Sequence, residues 1–401
     1  MAPTTAKAAL TAARTRCAIC QRGDLDVAME LPDLPLTGIF SSAPMAEAVH
    51  GMDQRLLVCA RCGHGQLAEP VSPELLYGER YSFRTSRSHT ATQGTAWFLS
   101  MLEEIAPGRR FECVVDVGCN DLHLLRQLEG RARSRIGVDP IWKGREDQRE
   151  DPEIRVIGSS IEAVDVASAL GEAPDLIVCR HTLEHLAAPV EFLANLCAVA
   201  NDRTLFLIEV PGFEALVHRL RFDHVFHQHL HYFNLASFRR ILRDLGAAEV
   251  AHREHYHDWG ALLVAFTKGR GDGEEPAGSW FDLATIRQRY ALFRQNMAAA
   301  REALRWFEGT LLYGYGAAQM LPVLAYHLGT DLSMLAAVLD DDPAKDGLWY
   351  ANLPLAIRHT SRAADLEAAT VLLTAMDTVT PIMQKLLARR PRHLLIPLQA
   401  I

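Results

Sequence analysis

The stretch Val114-Val115-Asp116-Val117-Gly118-Cys119-Asn120-Asp121 reads as a buried strand that runs into a tight loop. Cys113 to Val117 is apolar and rich in β-branched residues, as a parallel-sheet strand requires, and Gly118 stands where the backbone must turn and let a ligand approach closely. Leu122 to Leu128 reads as the start of the helix that follows. A helix N-terminus after such a turn offers free N–H groups and partial positive charge to a nucleotide-like ligand. The next strand, Arg135-Ile136-Gly137-Val138-Asp139-Pro140, ends in an acid about twenty residues on, where ribose hydroxyls would want a carboxylate. A dinucleotide would also need G-x-G-x-x-G to seat its pyrophosphate, but Gly118 is followed by Cys119, Asn120, Asp121, Leu122 and His123. The pattern therefore favours S-adenosylmethionine over NAD: its cationic groups suit Asp116 and nearby carbonyls.

Strands alternate with helices across the middle of the chain. Ala96 to Ile105 is expected as a helix, Ile154 to Gly158, Asp175 to Cys179 and Thr204 to Val210 as strands, Ser237 to Leu245 as a helix and Ala261 to Phe266 as a closing strand. This order specifies a doubly wound parallel α/β sheet with ligands at the carboxyl ends of its strands. Gly118, Asp139, Arg180 and Glu209 all fall at or just after such ends. Leu183-Glu184-His185-Leu186 resembles the fourth-strand motif of class I methyltransferases. The candidate cofactor contacts are Asp116, Gly118, Asn120, Asp121, Asp139, Arg180 and Glu184.

Ahead of this domain, Cys17-x-x-Cys20 and Cys59-x-x-Cys62-Gly63 place two thiolate pairs on two turns, the arrangement of a closed, structural Zn2+ site. Pro32, Pro35 and Gly38 suggest a loop between the pairs, and disulfides or a redox pair are the competing reading. Cys113, Cys119, Cys179 and Cys197 read as small buried side chains. Leu67 to Ser88, with Tyr77 and Tyr81, reads either as a segment that could cover a ligand or as a polar connector with two tyrosines packed on the core. After a Gly/Glu-rich linker, Phe281 to Phe307 has the periodicity of a long amphipathic helix. A second strand-and-glycine unit, Thr310 to Ala318 with Met334 to Leu339 and Asp340-Asp341-Asp342, reads as a Rossmann-like lobe shaped for substrate rather than a second cofactor site. The expected divisions are 1–75 (zinc module), 76–268 (methyltransferase domain), 269–308 (linker and long helix) and 309–401 (Rossmann-like domain).

A net charge of −8 argues against nucleic acid as partner. No apolar run reaches spanning length and Met1 to Arg16 has no secretory apolar core, so a cytoplasmic enzyme, monomeric or homodimeric, with a small-molecule substrate is expected. Arg221 to Phe233 is unusual: were it extended, alternation would put His227, His229 and His231 on one face. Such a cluster suits a general base, a metal site or a structural hydrogen-bonded group.

The order of these modules resembles the sugar C-methyltransferase family of deoxysugar biosynthesis. The resemblance is carried by Cys59-Ala60-Arg61-Cys62-Gly63, Gly118-Cys119-Asn120-Asp121, Phe226-His227-Gln228-His229 with Tyr232-Phe233, Tyr313-Gly314, and Asp342-Pro343-Ala344-Lys345-Asp346-Gly347. It implies methylation of the carbon beside the ketone of a nucleotide-linked keto-deoxysugar. Carbon is a poor nucleophile until the α-proton leaves, so a base and an oxyanion contact are needed. The resemblance gives this work to the Y-x-x-H residues, here Phe226 and His229; His229 is expected as base, with His227 as orienting neighbour or substitute, and since Phe226 cannot hold the oxyanion, that contact is expected from Tyr232, Tyr81 or a water. Phe226 and Gln228 depart from the family's tyrosine and glutamate, Leu122 and Ala318 from its glycine and lysine, and Asp258 to Leu263 from its H-G-G-S-L-R strand. The rival readings are an O- or N-methyltransferase using His229 or His227, and an inactive interaction protein on the same fold.

Overall fold

A computed structural model describes residues 13–45, 49–71, 84–164, 173–254, 260–269, 280–363 and 366–397. Tyr77, Tyr81, Asp258 and Trp259 lie outside the described residues. Three larger sheets and one two-stranded pair organise them.

The first sheet contains β1 (Leu25–Leu34), β3 (Met52–Cys59) and β4 (Gly65–Leu67), all antiparallel, with β2 (Phe40–Ser41) set apart from it. The segment between the two cysteine pairs is therefore not the loop its prolines suggested. Pro32 lies inside β1, which is tolerated because β1 is the edge strand and its register shifts between Leu31 and Leu34. The fourth strand comes from far along the chain: β10 (His231–Tyr232) pairs with β4, His231 opposite Gln66 and Tyr232 opposite Gly65.

The central sheet is built from β5 (Phe111–Val117), β6 (Ala132–Val138), β7 (Ile154–Ile157), β8 (Leu176–Arg180), β9 (Leu205–Pro211), β11 (Ala248–Glu254) and β12 (Ala261–Thr267), in spatial order β11-β12-β9-β8-β5-β6-β7. From β9 to β7 all pairs are parallel, while β12 is antiparallel to both its neighbours. This is the doubly wound arrangement of class I methyltransferases, with β5 and β8 at the switch point where ligands bind. Helix α1 (His89–Ile105) begins seven residues before its expected start because Ser88 caps it, accepting from Ala91 N–H. Helix α2 (His123–Gln127) is short, α3 (Pro189–Val199) follows β8, and α4 (Phe213–His218) follows β9. The capping box of Asn234 and Ser237 starts α5 (Leu235–Leu245). Two apolar cores cover the two faces of the sheet, one with Val115, Ile177, Phe206 and Phe238, the other with Val114, Phe98, Leu122 and Leu263.

After α6 (Leu283–Arg305), capped by Asp282, come β13 (Leu312–Tyr315), α7 (Leu321–Leu328), β14 (Val338–Asp340), β15 (Trp349–Tyr350), β16 (Ile357–His359), β17 (Thr370–Leu373), α8 (Val379–Ala388) and β18 (His393–Leu395). They form a five-stranded parallel sheet in the order β16-β14-β13-β17-β18, while β15 pairs with β2. One apolar core unites this lobe with the first sheet and the 213–232 segment: Leu31, Leu56, Phe222, Phe226, Phe293 and Leu324 all belong to it. The chain between β9 and β10 is thus packed from three sides.

Candidate active site and zinc centre

All four thiols of Cys17, Cys20, Cys59 and Cys62 are buried and unbridged, and their sulfurs lie within 4.8 Å of one another. The Cys17–Cys62 and Cys20–Cys59 Sγ separations are 3.7 and 3.5 Å. A tetrahedral zinc with bonds of about 2.3 Å spaces its sulfurs at about 3.8 Å, so these residues fit the ion. The turn at Gly63 is equally committed. At φ +67° its Cβ would meet Trp280 at 2.4 Å, and its carbonyl accepts from Asn234 Nδ2 at 2.7 Å. Beside it, His64 Nε2 lies 3.0 Å from His231 Nδ1, joining the zinc turn to β10.

At the switch point Gly118 has φ +77°, and a Cβ there would lie 1.9 Å from Thr182 Oγ1. No side chain fits between the two loops. Asp116, just before the turn, is 3% exposed, and burial, against the opposing pull of Arg180, pushes its pKa up to about 7. An arriving cation would restore its ionised form. Asp139 accepts from Asn120 N–H and Ile141 N–H at 2.9 Å each, which fixes the carboxylate at the end of β6. These three positions fit S-adenosylmethionine. The other expected contacts are engaged elsewhere. Asn120 Oδ1 accepts from Thr85 N–H, and Asp121 Oδ2 from Ser86 N–H and Oγ–H, so the pair holds the 84–88 segment. Arg180 makes a bidentate pair with Glu209 at 2.8 and 3.2 Å and donates to Thr95 Oγ1 at 2.8 Å, locking β8 to β9.

Glu184 sits among histidines instead. It is fully buried, its oxygens accept no hydrogen bond among the described residues, and its Oε1 lies 3.5 Å from His181 Nδ1 and 3.8 Å from His185 Nε2. Glu184, His185 and His229 bring one ligand-type atom each within 4.8 Å. His181 reaches on to Glu209 Oε1 at 2.7 Å. Burial alone would lower its pKa, but Glu209 and Glu184 outweigh burial and raise it to about 9. Conversely, Arg180 and His181 overcome burial at Glu209 and hold it at about 2.

The three histidines of the 227–231 run do not share a face, because only His231 and Tyr232 are extended. A 3-10 turn at Phe222–His224 and the hydrogen bond from His229 N–H to Phe226 O fold the segment back on itself. His227 turns to the first sheet, Nε2 on Leu34 O at 2.9 Å, and His231 to Arg14 and His64. His229 alone faces Glu184 and His185, its ring 5.0 Å from that of His185 and 4.2 Å from Phe226. Its Nδ1 is buried with no hydrogen-bond partner among the described residues, and burial, reinforced by His185, holds its pKa well below the ordinary 6.5. Tyr232 turns its hydroxyl to the backbone of the loop itself. Its hydroxyl accepts from Phe226 N–H at 3.3 Å and donates to His224 O at 3.4 Å, bracing the loop. Sequence reasoning missed His185 and His181. Their signal was the placement of both at the carboxyl end of β8, next to the switch point.

The C-terminal lobe contributes an ionic seam. Asp377, just before α8, takes Arg221 Nη2 at 2.7 Å and lies 2.9 Å from His224 Nε2, while Asp223 pairs bidentately with the same guanidinium at 2.9 Å. Asp340, at the end of β14, accepts from Ala317 N–H and Asp342 N–H and pairs with Lys345. The acid that would meet a nucleotide in that lobe is thus held by the lobe itself.

Residues 17–77 match a zinc binding domain, residues 91–252 a methyltransferase domain and residues 282–393 a C-methyltransferase C-terminal domain. The C-methyltransferase NovU of Streptomyces niveus is 26% identical over 269 residues, which are 64% of this chain and 62% of that protein. Among solved structures, the chain is similar to the N-methyltransferase NodS from Bradyrhizobium japonicum WM9 in complex with S-adenosyl-L-homocysteine (17% identity, 48% of this chain, 94% of that one, TM-score 0.36). It is also similar to the 1,6-didemethyltoxoflavin-N1-methyltransferase of Burkholderia thailandensis (17%, 46% and 80%, TM-score 0.34). The chain therefore matches, in order along its length, a zinc-binding domain, a methyltransferase domain and a C-methyltransferase C-terminal domain, as an S-adenosylmethionine-dependent methyltransferase would.

Proposed function

We propose that the protein transfers a methyl group from S-adenosylmethionine to the carbon beside the ketone of a nucleotide-linked keto-deoxysugar. The observation that carries this reading is His229. It is an imidazole kept neutral by burial, with a ring nitrogen that has no hydrogen-bond partner among the described residues, on a loop packed between the methyltransferase sheet, the zinc module and the C-terminal lobe. S-adenosylmethionine, when bound, supplies an electrophilic methyl group. Asp116 offers that ligand an anion and Asp139 offers acceptors for its hydroxyls. The chain's own work is to remove the α-proton. His229 takes it, the electron pair moves to the carbonyl oxygen as an enolate, and His181 and Arg180 keep the surrounding field from becoming net negative.

The test is exchange. With a 4-keto nucleotide sugar in heavy water and no methyl donor, the α-carbon should gain deuterium, and His229→Asn should abolish the gain. Methyl transfer that proceeds without exchange and survives that substitution would overturn the enolate reading and favour an oxygen or nitrogen acceptor.

A further inference from the structure

The resemblance expects a glutamate at position 228, but Gln228 is there, and its Oε1 points to Thr37 Oγ1 at 3.5 Å. A carboxylate nevertheless stands at the base, supplied by a different element. Glu184, on the turn after β8, is fully buried, and none of its oxygens accepts a hydrogen bond among the described residues. Its carboxylate and the rings of His185 and His229 converge within 4.8 Å. A buried carboxyl group with no hydrogen bond is costly to keep, and the histidines around it are the groups that can pair with it. His229 Nδ1 is the complementary group, a buried ring nitrogen with no hydrogen-bond partner among the described residues.

We infer that Glu184 is the positioning carboxylate of the base: it orients His229 and stabilises the imidazolium formed when the α-proton is taken, while His185 holds the loop that carries the base. This rests on the reading of His229 as base. Hydrogen bonds of this kind are often long in free enzymes and close when substrate binds. Local geometry favours the role. Leu230 N–H donates to the carbonyl of Glu184 at 2.8 Å, and His185 Nδ1 donates to the carbonyl of Gln228 at 2.7 Å, so the base is tied to the turn on both sides. The same three side chains are of the types that could hold a cation. The charges close without one: Arg180 and His181 stand against Glu209 and Glu184, with His224 and Asp377 facing from the neighbouring loop and lobe.

The test uses the full, zinc-loaded chain as Glu184→Gln and Glu184→Asp. Both should bind S-adenosylmethionine within about twofold of the parent and melt near it, which sets misfolding aside. Glu184→Gln should slow deuterium exchange by about a hundredfold, the scale of general-base catalysis, and Glu184→Asp should recover at least a tenth of the parent rate. Nitrogen-15 NMR of the histidine rings supplies a readout that needs no substrate. His229 should occupy one tautomer in the parent and a mixture in Glu184→Gln. Exchange at the parent rate in Glu184→Gln, or an unaltered His229 tautomer, would overturn the inference. Absence of exchange in the parent itself would overturn the function reading, and the tautomer measurement would still decide the role of Glu184.

Discussion

His185 Nδ1 lies 2.7 Å from the main-chain oxygen of Gln228, and since a carbonyl only accepts, that nitrogen carries the ring's proton. One hydrogen bond therefore fixes the tautomer of His185 and the path of the loop just ahead of His229. His185→Leu should loosen the loop, cost about 0.5–1.5 kcal/mol of stability and lower turnover more than S-adenosylmethionine affinity. His185→Asn, whose amide can still donate, should keep most of the stability; chemical denaturation of the two variants separates them.

The zinc centre should hold one ion per chain, and Cys59→Ser should lose it. Because His64 and β4 touch the strand that follows His229, ion loss should lower both melting temperature and turnover. Elemental analysis alongside a thermal scan checks this, and a zinc-free chain of unchanged stability would refute it.

Asp139→Ala removes the carboxylate that caps Asn120 and Ile141. Calorimetry should show S-adenosylmethionine binding weakened by about 1.5–3 kcal/mol for each charge-assisted hydrogen bond lost.

The seam between the lobes gives a pH prediction. Burial would raise the pKa of Asp377, but His224 and Arg221 outweigh it and hold the carboxyl far below its ordinary 3.8. A depressed carboxylate stabilises fully above its unfolded value and loses that contribution as pH falls further. Asp377→Asn should therefore be less stable than the parent at pH 6 by about 1.5–3 kcal/mol, and the gap should narrow below pH 4. Urea titrations at the two pH values test it.

His181 carries the opposite sign. Its folded pKa, about 9, is above the ordinary 6.5, so its contribution is complete below pH 6.5 and fades as pH rises through 9. Parent stability should decline between pH 7 and 9.5, and His181→Asn should flatten that decline.

Much of this was legible in the chain. The cysteine pairs are local spacings with one sensible partner, and Gly118 and Asp139 are set by the strand-turn pattern itself. The histidine run was not legible. Alternation assumes a strand, and what bends residues 222–230 is tertiary: the Asp377 seam, the Tyr232 brace and the apolar packing of Phe222 and Phe226. Arg180 and Glu184 looked alike as polar residues after a strand. Only the neighbouring Glu209 and the returning loop send one to a salt bridge and the other to the base.

The pairing of β10 with β4, and of β15 with β2, also sets an order of assembly. All four cysteine ligands are made once Cys62 is, but the first sheet lacks a fourth strand until residues 231–232 emerge, and β2 has no partner strand until residues 349–350 do. During synthesis the first sheet therefore has one edge open until the strand next to His229 is made. A truncated chain ending before residue 231 should expose that edge and associate through it.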